Sequence, residues 1–174
     1  LASMQRRFLQ PKIRAQLGDG NWKAISGLVP LQSGLMAAYQ FGDAALRNAR
    51  ELDELGIRVW SMAADNIRLL YHAIRGESAP VHHYAARIDR FAVQGGTTWQ
   101  AEMYIPLFTI NAYILWGDTI AVRRAWEQFS RWSKEVPSLQ IYADAAHAAY
   151  LLLRGDLALA LDEYARLVPR YRLR

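Results

Sequence analysis

Apolar residues recur at helical spacing along most of the chain, in two alternating kinds of segment. The first kind is one-sided. After Asp43, Ala45, Ala49, Leu52 and Leu55 share a face while Arg47, Arg50, Glu51 and Glu54 look outward. After Glu77 the stripe is Val81, Tyr84, Ala85, Ile88, Phe91 and Ala92, with Ser78 as N-cap and Pro80 in the first turn. After Asp118 it is Val122, Ala125, Trp126, Phe129 and Trp132, and after Gly155 it is Leu157, Ala160, Leu161, Tyr164, Leu167 and Val168. The second kind, Ile57–Ile74, Trp99–Trp116 and Leu139–Leu153, is apolar on most faces, the signature of a helix enclosed by neighbours. No useful length alternates with period two, so the pattern predicts an all-α chain without a sheet.

Between an enclosed helix and the one-sided helix that follows it lies the same kind of turn: Gly42-Asp43, Gly76-Glu77, Gly117-Asp118 and Gly155-Asp156. A tyrosine (Tyr39, Tyr71, Tyr113, Tyr150) precedes each glycine by three to five residues. The glycines are spaced by 34, 41 and 38 residues, the period of helix-turn-helix arrays. Asp43, Asp118 and Asp156 stand at helix starts, where a carboxylate accepts from free amides and opposes the helix dipole. Gly56, Gly95-Gly96 and Pro137 separate one hairpin from the next. The expected organisation is one domain over 1–174, with irregular N-terminal helices or a cap in 1–30, cut by Pro11, Gly18-Asp19-Gly20 and Pro30, and about four helix pairs over 31–168.

The stretches Asn111-Ala112-Tyr113-Ile114-Leu115-Trp116-Gly117-Asp118 and Ala149-Tyr150 through Gly155-Asp156-Leu157-Ala158-Leu159-Ala160 resemble the tetratricopeptide-repeat superfamily in its divergent bacterial form. Tyr113 lies four residues before Gly117, and Ala160 five after Gly155, as in that family. Arg47, Val81 and Val122 stand where the family prefers alanine. The resemblance covers about 31–168 and implies a right-handed α-α superhelix, a solenoid of antiparallel helix pairs. It also implies a non-catalytic module for protein–protein interaction or signal sensing within a larger bacterial regulatory protein, behind a kinase, cyclase or ATPase module. Its partner would be a protein or peptide, and a neighbouring domain of the same chain.

At 174 residues and 52% apolar content the chain has enough material for a real core, and a disordered class is excluded. The absence of cysteine excludes disulfide scaffolds and thiolate metal sites and fits a reducing cytoplasm. No segment reads as a signal peptide. The most apolar one, Met103–Trp116, is shorter than the roughly 20 residues of a membrane span. The start at Leu1 and the end on Arg170-Tyr171-Arg172-Leu173-Arg174 read as a fragment of a larger polypeptide or as a chain trimmed to its ordered part. The formal charge is +5, with 18 of 21 basic residues arginine. The densest groups, Arg6/Arg7/Lys12/Arg14 and Arg166/Arg170/Arg172/Arg174, lie at opposite ends. A nucleic-acid-contacting repeat domain using those ends is the alternative to solvated arginines.

Polar residues on the enclosed helices are the clearest functional candidates. Asn66, Arg68, Tyr104, Asn111, Tyr142 and Asp144 must either bond between helices or line the concave groove of a superhelix, because unpaired burial costs roughly 1–3 kcal/mol each. Two histidine groupings offer an all-helical enzyme as a further alternative. Asp144 and His147 are three apart and share a face, as a base–orienter pair or as a satisfied polar pair between helices. His72, Glu77 and His82 flank one turn, as a metal cluster or as turn-bonded side chains; the second is expected. Gly18-Asp19-Gly20 and Gly95-Gly96-Thr97-Thr98 lack a preceding strand and a P-loop lysine and read as interhelical turns. Of the six tryptophans, Trp22 and Trp99 are the ones open to an interface role. No cofactor and no metal are expected.

Overall fold

A computed structural model describes residues 11–94 and 99–171, with side chains for 14–23, 25–91 and 106–169. Arg6, Arg7, Gly95-Gly96-Thr97-Thr98, Arg172 and Arg174, and the side chains of Lys12, Trp99, Tyr104 and Arg170, lie outside what it describes. Among the described residues there are nine α-helices and no strand. They are α1 (Pro11–Ser26), α2 (Leu28–Tyr39), α3 (Ala44–Glu54), α4 (Arg58–Ile74), α5 (Ser78–Gln94), α6 (Trp99–Trp116), α7 (Thr119–Trp132), α8 (Gln140–Arg154) and α9 (Leu157–Tyr171). A 3₁₀ turn, Pro137–Leu139, leads into α8. No helix among the described residues is long and apolar enough to cross a membrane.

The chain divides into two compact units, Leu1–Phe91 and Ala92–Arg174. In the first, α3 packs against both α2 and α4, and α2 also packs against α4. The second repeats the scheme: α7 packs against α6 and α8, α6 against α8, and α9 against α8. Within its own unit α4 thus meets α3 and the preceding α2, and α8 meets α7, α9 and the preceding α6. That is why α4 buries Met62 through Leu70 on nearly every side, Arg68 excepted, and why α8 carries Ala143, Ala146, Ala148 and Ala149, whose small side chains admit close neighbours.

All four glycine turns are the same helix-ending motif, and one is displaced. The amides of Gly76, Gly117 and Gly155 bond to Ala73, Ile114 and Leu152, and the following amides reach back to His72, Tyr113 and Leu151. These glycines take left-handed φ of 69°, 79° and 85°. At the first turn the same pair of bonds runs from Phe41 to Ala38 and from Gly42 to Ala37. Phe41, not Gly42, therefore carries the positive φ of 57°, at a cost of about 1 kcal/mol. The strain is held from outside: Arg75 donates to the Phe41 carbonyl at 2.6 Å. Arg75 also lies 3.5 Å from the centre of the Tyr71 ring, and the Tyr71 hydroxyl donates to Asp43 at 2.8 Å. The tip of one hairpin is clasped by the end of the next enclosed helix. That hydrogen bond to Asp43 pushes the Tyr71 phenol above its usual pKa.

The aspartates divide accordingly. Asp118 accepts from the Ala121 amide at 2.9 Å, the cap expected of it. Asp43 occupies the N-cap of α3 without capping it, because its carboxylate serves Tyr71. Gly18 (φ 73°, ψ 159°) leaves helical geometry, so α1 is two helical pieces meeting at a kink, as the glycine-rich stretch predicts. One departure falls near the N-terminus. Pro30 stands in the first turn of α2, where its missing amide proton has no intrahelical acceptor to lose.

Close approach, rather than turn geometry, explains Gly27. A Cβ there would lie 2.3 Å from the Trp60 ring, which is fixed by donation from its indole nitrogen to the Lys23 carbonyl at 2.9 Å. Gly27→Ala is expected to lower stability by about 1–3 kcal/mol through forced displacement of that ring, read as a lower midpoint in chemical denaturation. An unchanged midpoint would mean that Trp60 does not sit against the backbone there.

Candidate functional site

The expected groove residues fall into two environments. On α4, Asn66 is 1% exposed and Asp65 5% exposed. Arg68 is largely covered and reaches two carboxylates, Asp53 on α3 at 2.5 Å and Asp65 at 3.3 Å. Arg87 on α5 closes the far side of Asp65 at 3.0 Å. Both arginines lie over the Tyr84 ring, at 5.8 Å and 5.9 Å, and His72 stacks on the same ring at 5.6 Å. Three helices are therefore tied through one buried carboxylate. Arg68 is spent on interhelical pairing, and Asn66 is sealed, with neither amide atom hydrogen-bonded among the described residues.

The enclosed part of α8 is built differently. Ala125 and Phe129 of α7 pack on Ala143 and Ala146, with Trp126 and Trp132 around them. Trp126 stacks on His147 at 4.4 Å and on Tyr150 at 5.6 Å, and Arg154 covers the Tyr150 ring at 5.6 Å. Tyr142 touches Phe129 across 5.9 Å, yet remains 43% exposed. Asp144 is half-buried and accepts from Gln140 at 2.7 Å. It opens on a cavity of about 390 Å³ lined by Asp144, Glu163, Arg166 and Leu167. Glu163 stands 3.5 Å from Arg166 and 3.8 Å from His147.

Of the expected six, the structure thus brings Tyr142 and Asp144 to one accessible helix. It leaves Asn111 exposed on α6, seals Asn66, engages Arg68 in ion pairs, and does not describe the Tyr104 side chain. Glu163 and Arg166 line the α8–α9 cavity; Glu163 was not among the expected residues, and Arg166 was expected only within the C-terminal basic group. Asp162 and Arg166 read as an outward i,i+4 pair, whereas Arg166 meets Glu163 at i,i+3. His72 contacts Glu77 directly, but no group of three or more metal-ligating side chains forms among the described residues. His147 faces Glu163 and the Trp126 ring, and the described residues lining the cavity are Asp144, Glu163, Arg166 and Leu167.

Comparison with protein-family models, with curated proteins and with solved structures finds no match to this chain.

Burial raises the Asp65 pKa above the ordinary carboxyl value, against the opposing pull of Arg87 and Arg68. Asp65 then holds its proton more tightly folded than unfolded. Its stabilising contribution is complete below the unfolded pKa and is lost as pH rises through the raised folded value. Asp65→Asn removes that component, so the stability of the variant relative to the parent should rise from acid to neutral pH in parallel denaturation curves. A relative fall would show that the arginines outweigh desolvation.

Proposed function

We propose that this chain is a non-catalytic protein–protein interaction or signal-sensing module of a larger bacterial regulatory protein, working in the cytoplasm. Its helix hairpins are segments of a right-handed superhelix of tetratricopeptide-repeat type. The observation that carries this reading is the accessibility of Tyr142 and Asp144 on α8, beside a cavity rimmed by two carboxylates and an arginine. On α4, Asp65 and Arg68 are concealed in ion pairs. The exposed Tyr142 ring and the half-buried Asp144 carboxylate bordering the cavity offer the anchor and the charge with which short peptide segments are gripped. A partner segment docks across α8 and α9, its cationic side chain meeting Asp144 and Glu163. The packing of the hairpins passes that event to a neighbouring domain.

Selection of peptides against the immobilised chain tests this. Selected binders should carry lysine or arginine, protect α8 and α9 amides from hydrogen exchange, and lose at least about tenfold in affinity with Tyr142→Ala or Asp144→Ala. Binders insensitive to both substitutions, or retention on a phosphate-bearing column that falls steeply with salt in place of peptide binding, would replace this reading with another surface or with nucleic acid.

A further inference from the structure

The α8–α9 cavity has a titratable neighbour outside its lining. His147 stands on α8 three residues after Asp144 and faces Glu163 on α9. Its ring is held by the stack on Trp126 of α7, with centroids 4.4 Å apart and planes 27° from parallel. From that position its Nδ1 lies 3.8 Å from Glu163 Oε1, the same oxygen that Arg166 Nη1 approaches at 3.5 Å. Both are ion-pair contacts too long for a good hydrogen bond, so Glu163 keeps the capacity to accept from a ligand. Arg166 is a weak holder of that carboxylate, because its side chain is 72% exposed and such solvated pairs contribute little. His147 is only 31% exposed and is fixed by its stack.

Few other charges reach His147. On α7, Arg123 and Glu127 pair with each other at 3.4 Å on the exposed side, where Arg124 and Arg131 also stand. From 106 to 116, α6 has Tyr113 as its one ionisable residue, and the 3₁₀ turn Pro137–Leu139 has none. On α8 itself Asp144 precedes His147, and Tyr150 and Arg154 follow it. On α9, Asp162 is exposed. Glu163 is thus the carboxylate that crosses from a second helix to meet the imidazole.

Histidine is the side chain whose charge changes between about pH 5 and 8. With neutral His147, the group Asp144, Glu163 and Arg166 carries one net negative charge, which suits a cationic partner. With protonated His147 the net charge is zero, and Glu163 has a second cation at ion-pair distance. We propose that His147 is a proton-operated gate on the α8–α9 recognition site. Neutral, it leaves Glu163 to a lysine or arginine of the partner segment; protonated, it engages Glu163 itself and the partner is released. The gate rests on the proposed function, since it describes how that same site is regulated.

Calorimetric titration of the selected lysine- or arginine-bearing peptides, at about pH 7.5 and about pH 5.5 and constant ionic strength, tests it. Affinity for the parent should fall about fivefold or more on acidification, and affinity for His147→Gln should change less than about twofold. The other titratable groups are common to both chains, so the difference reads His147 alone. A ligand-free signal accompanies the gate. A protonated imidazole quenches an indole stacked on it, so tryptophan emission of the parent should drop over the same pH interval, and His147→Gln should lack that step. Glu163→Gln should keep the emission step and lose the pH dependence of binding. Affinity indifferent to pH in the parent, acid weakening that survives in His147→Gln, or a missing emission step would overturn the gate and leave the proposed function standing. A chain that selects no peptide would overturn the proposed function and the gate with it.

Discussion

One buried carboxylate organises the first half of this protein. Asp65 is placed in the middle of the most enclosed helix of its unit, where an unpaired charge would be prohibitively costly. It is tolerated because Arg68 and Arg87 approach its two oxygens separately, and because Arg68 is shared with Asp53. The consequence is geometric as much as energetic. Apolar stripes let helices slide and rotate at small cost, whereas Arg68 bridging Asp53 and Asp65 fixes the register of α3 on α4, and Arg87 on Asp65 fixes the facing of α5. Whether such a cluster adds net stability over an apolar replacement is a separate matter from the specificity it confers.

The hairpin tips obey a similar economy. Phe41 accepts a left-handed backbone because Arg75 and Tyr71, some thirty residues later, close over it and over Asp43. The equivalent arginine of the second unit, Arg154, covers Tyr150 in the same way but reaches Asp156 at the neighbouring turn instead. An aromatic ring under a guanidinium at the end of an enclosed helix is thus a shared device, adapted once to hold a strained turn and once to a turn that glycine makes without strain.

Much of the architecture was legible in the sequence because it depends on short-range chemistry. The helix Trp99–Trp116 ends where expected, and α4 and α8 differ from the expected Ile57–Ile74 and Leu139–Leu153 by one residue at one or both ends, since helix ends are set by local caps and left-handed glycines. The enclosed character of α4 and α8 followed from their composition. What periodicity could not supply was rotation and partner choice. Arg68 and Asp144 look alike as polar residues on apolar helices; one is consumed by Asp53 and Asp65, the other opens on a cavity, and the difference lies in which helix packs beside them. Gly34 shows the same limit: a Cβ there would come within 2.5 Å of Ile67, a close approach that only the packing reveals. The displaced turn at Phe41 was hidden because Gly42 is the natural candidate for positive φ.

Polar residues of the enclosed helix hold the first unit together, and we propose that in the second unit they are released from that structural duty and serve recognition. Parallel urea denaturation of Arg68→Met, Tyr142→Ala and Asp144→Ala tests it directly. Loss of about 3 kcal/mol for Arg68→Met, with both α8 variants within about 0.5 kcal/mol of the parent, is the predicted result. Equal losses across the three, or a larger loss at Asp144 than at Arg68, would contradict the division.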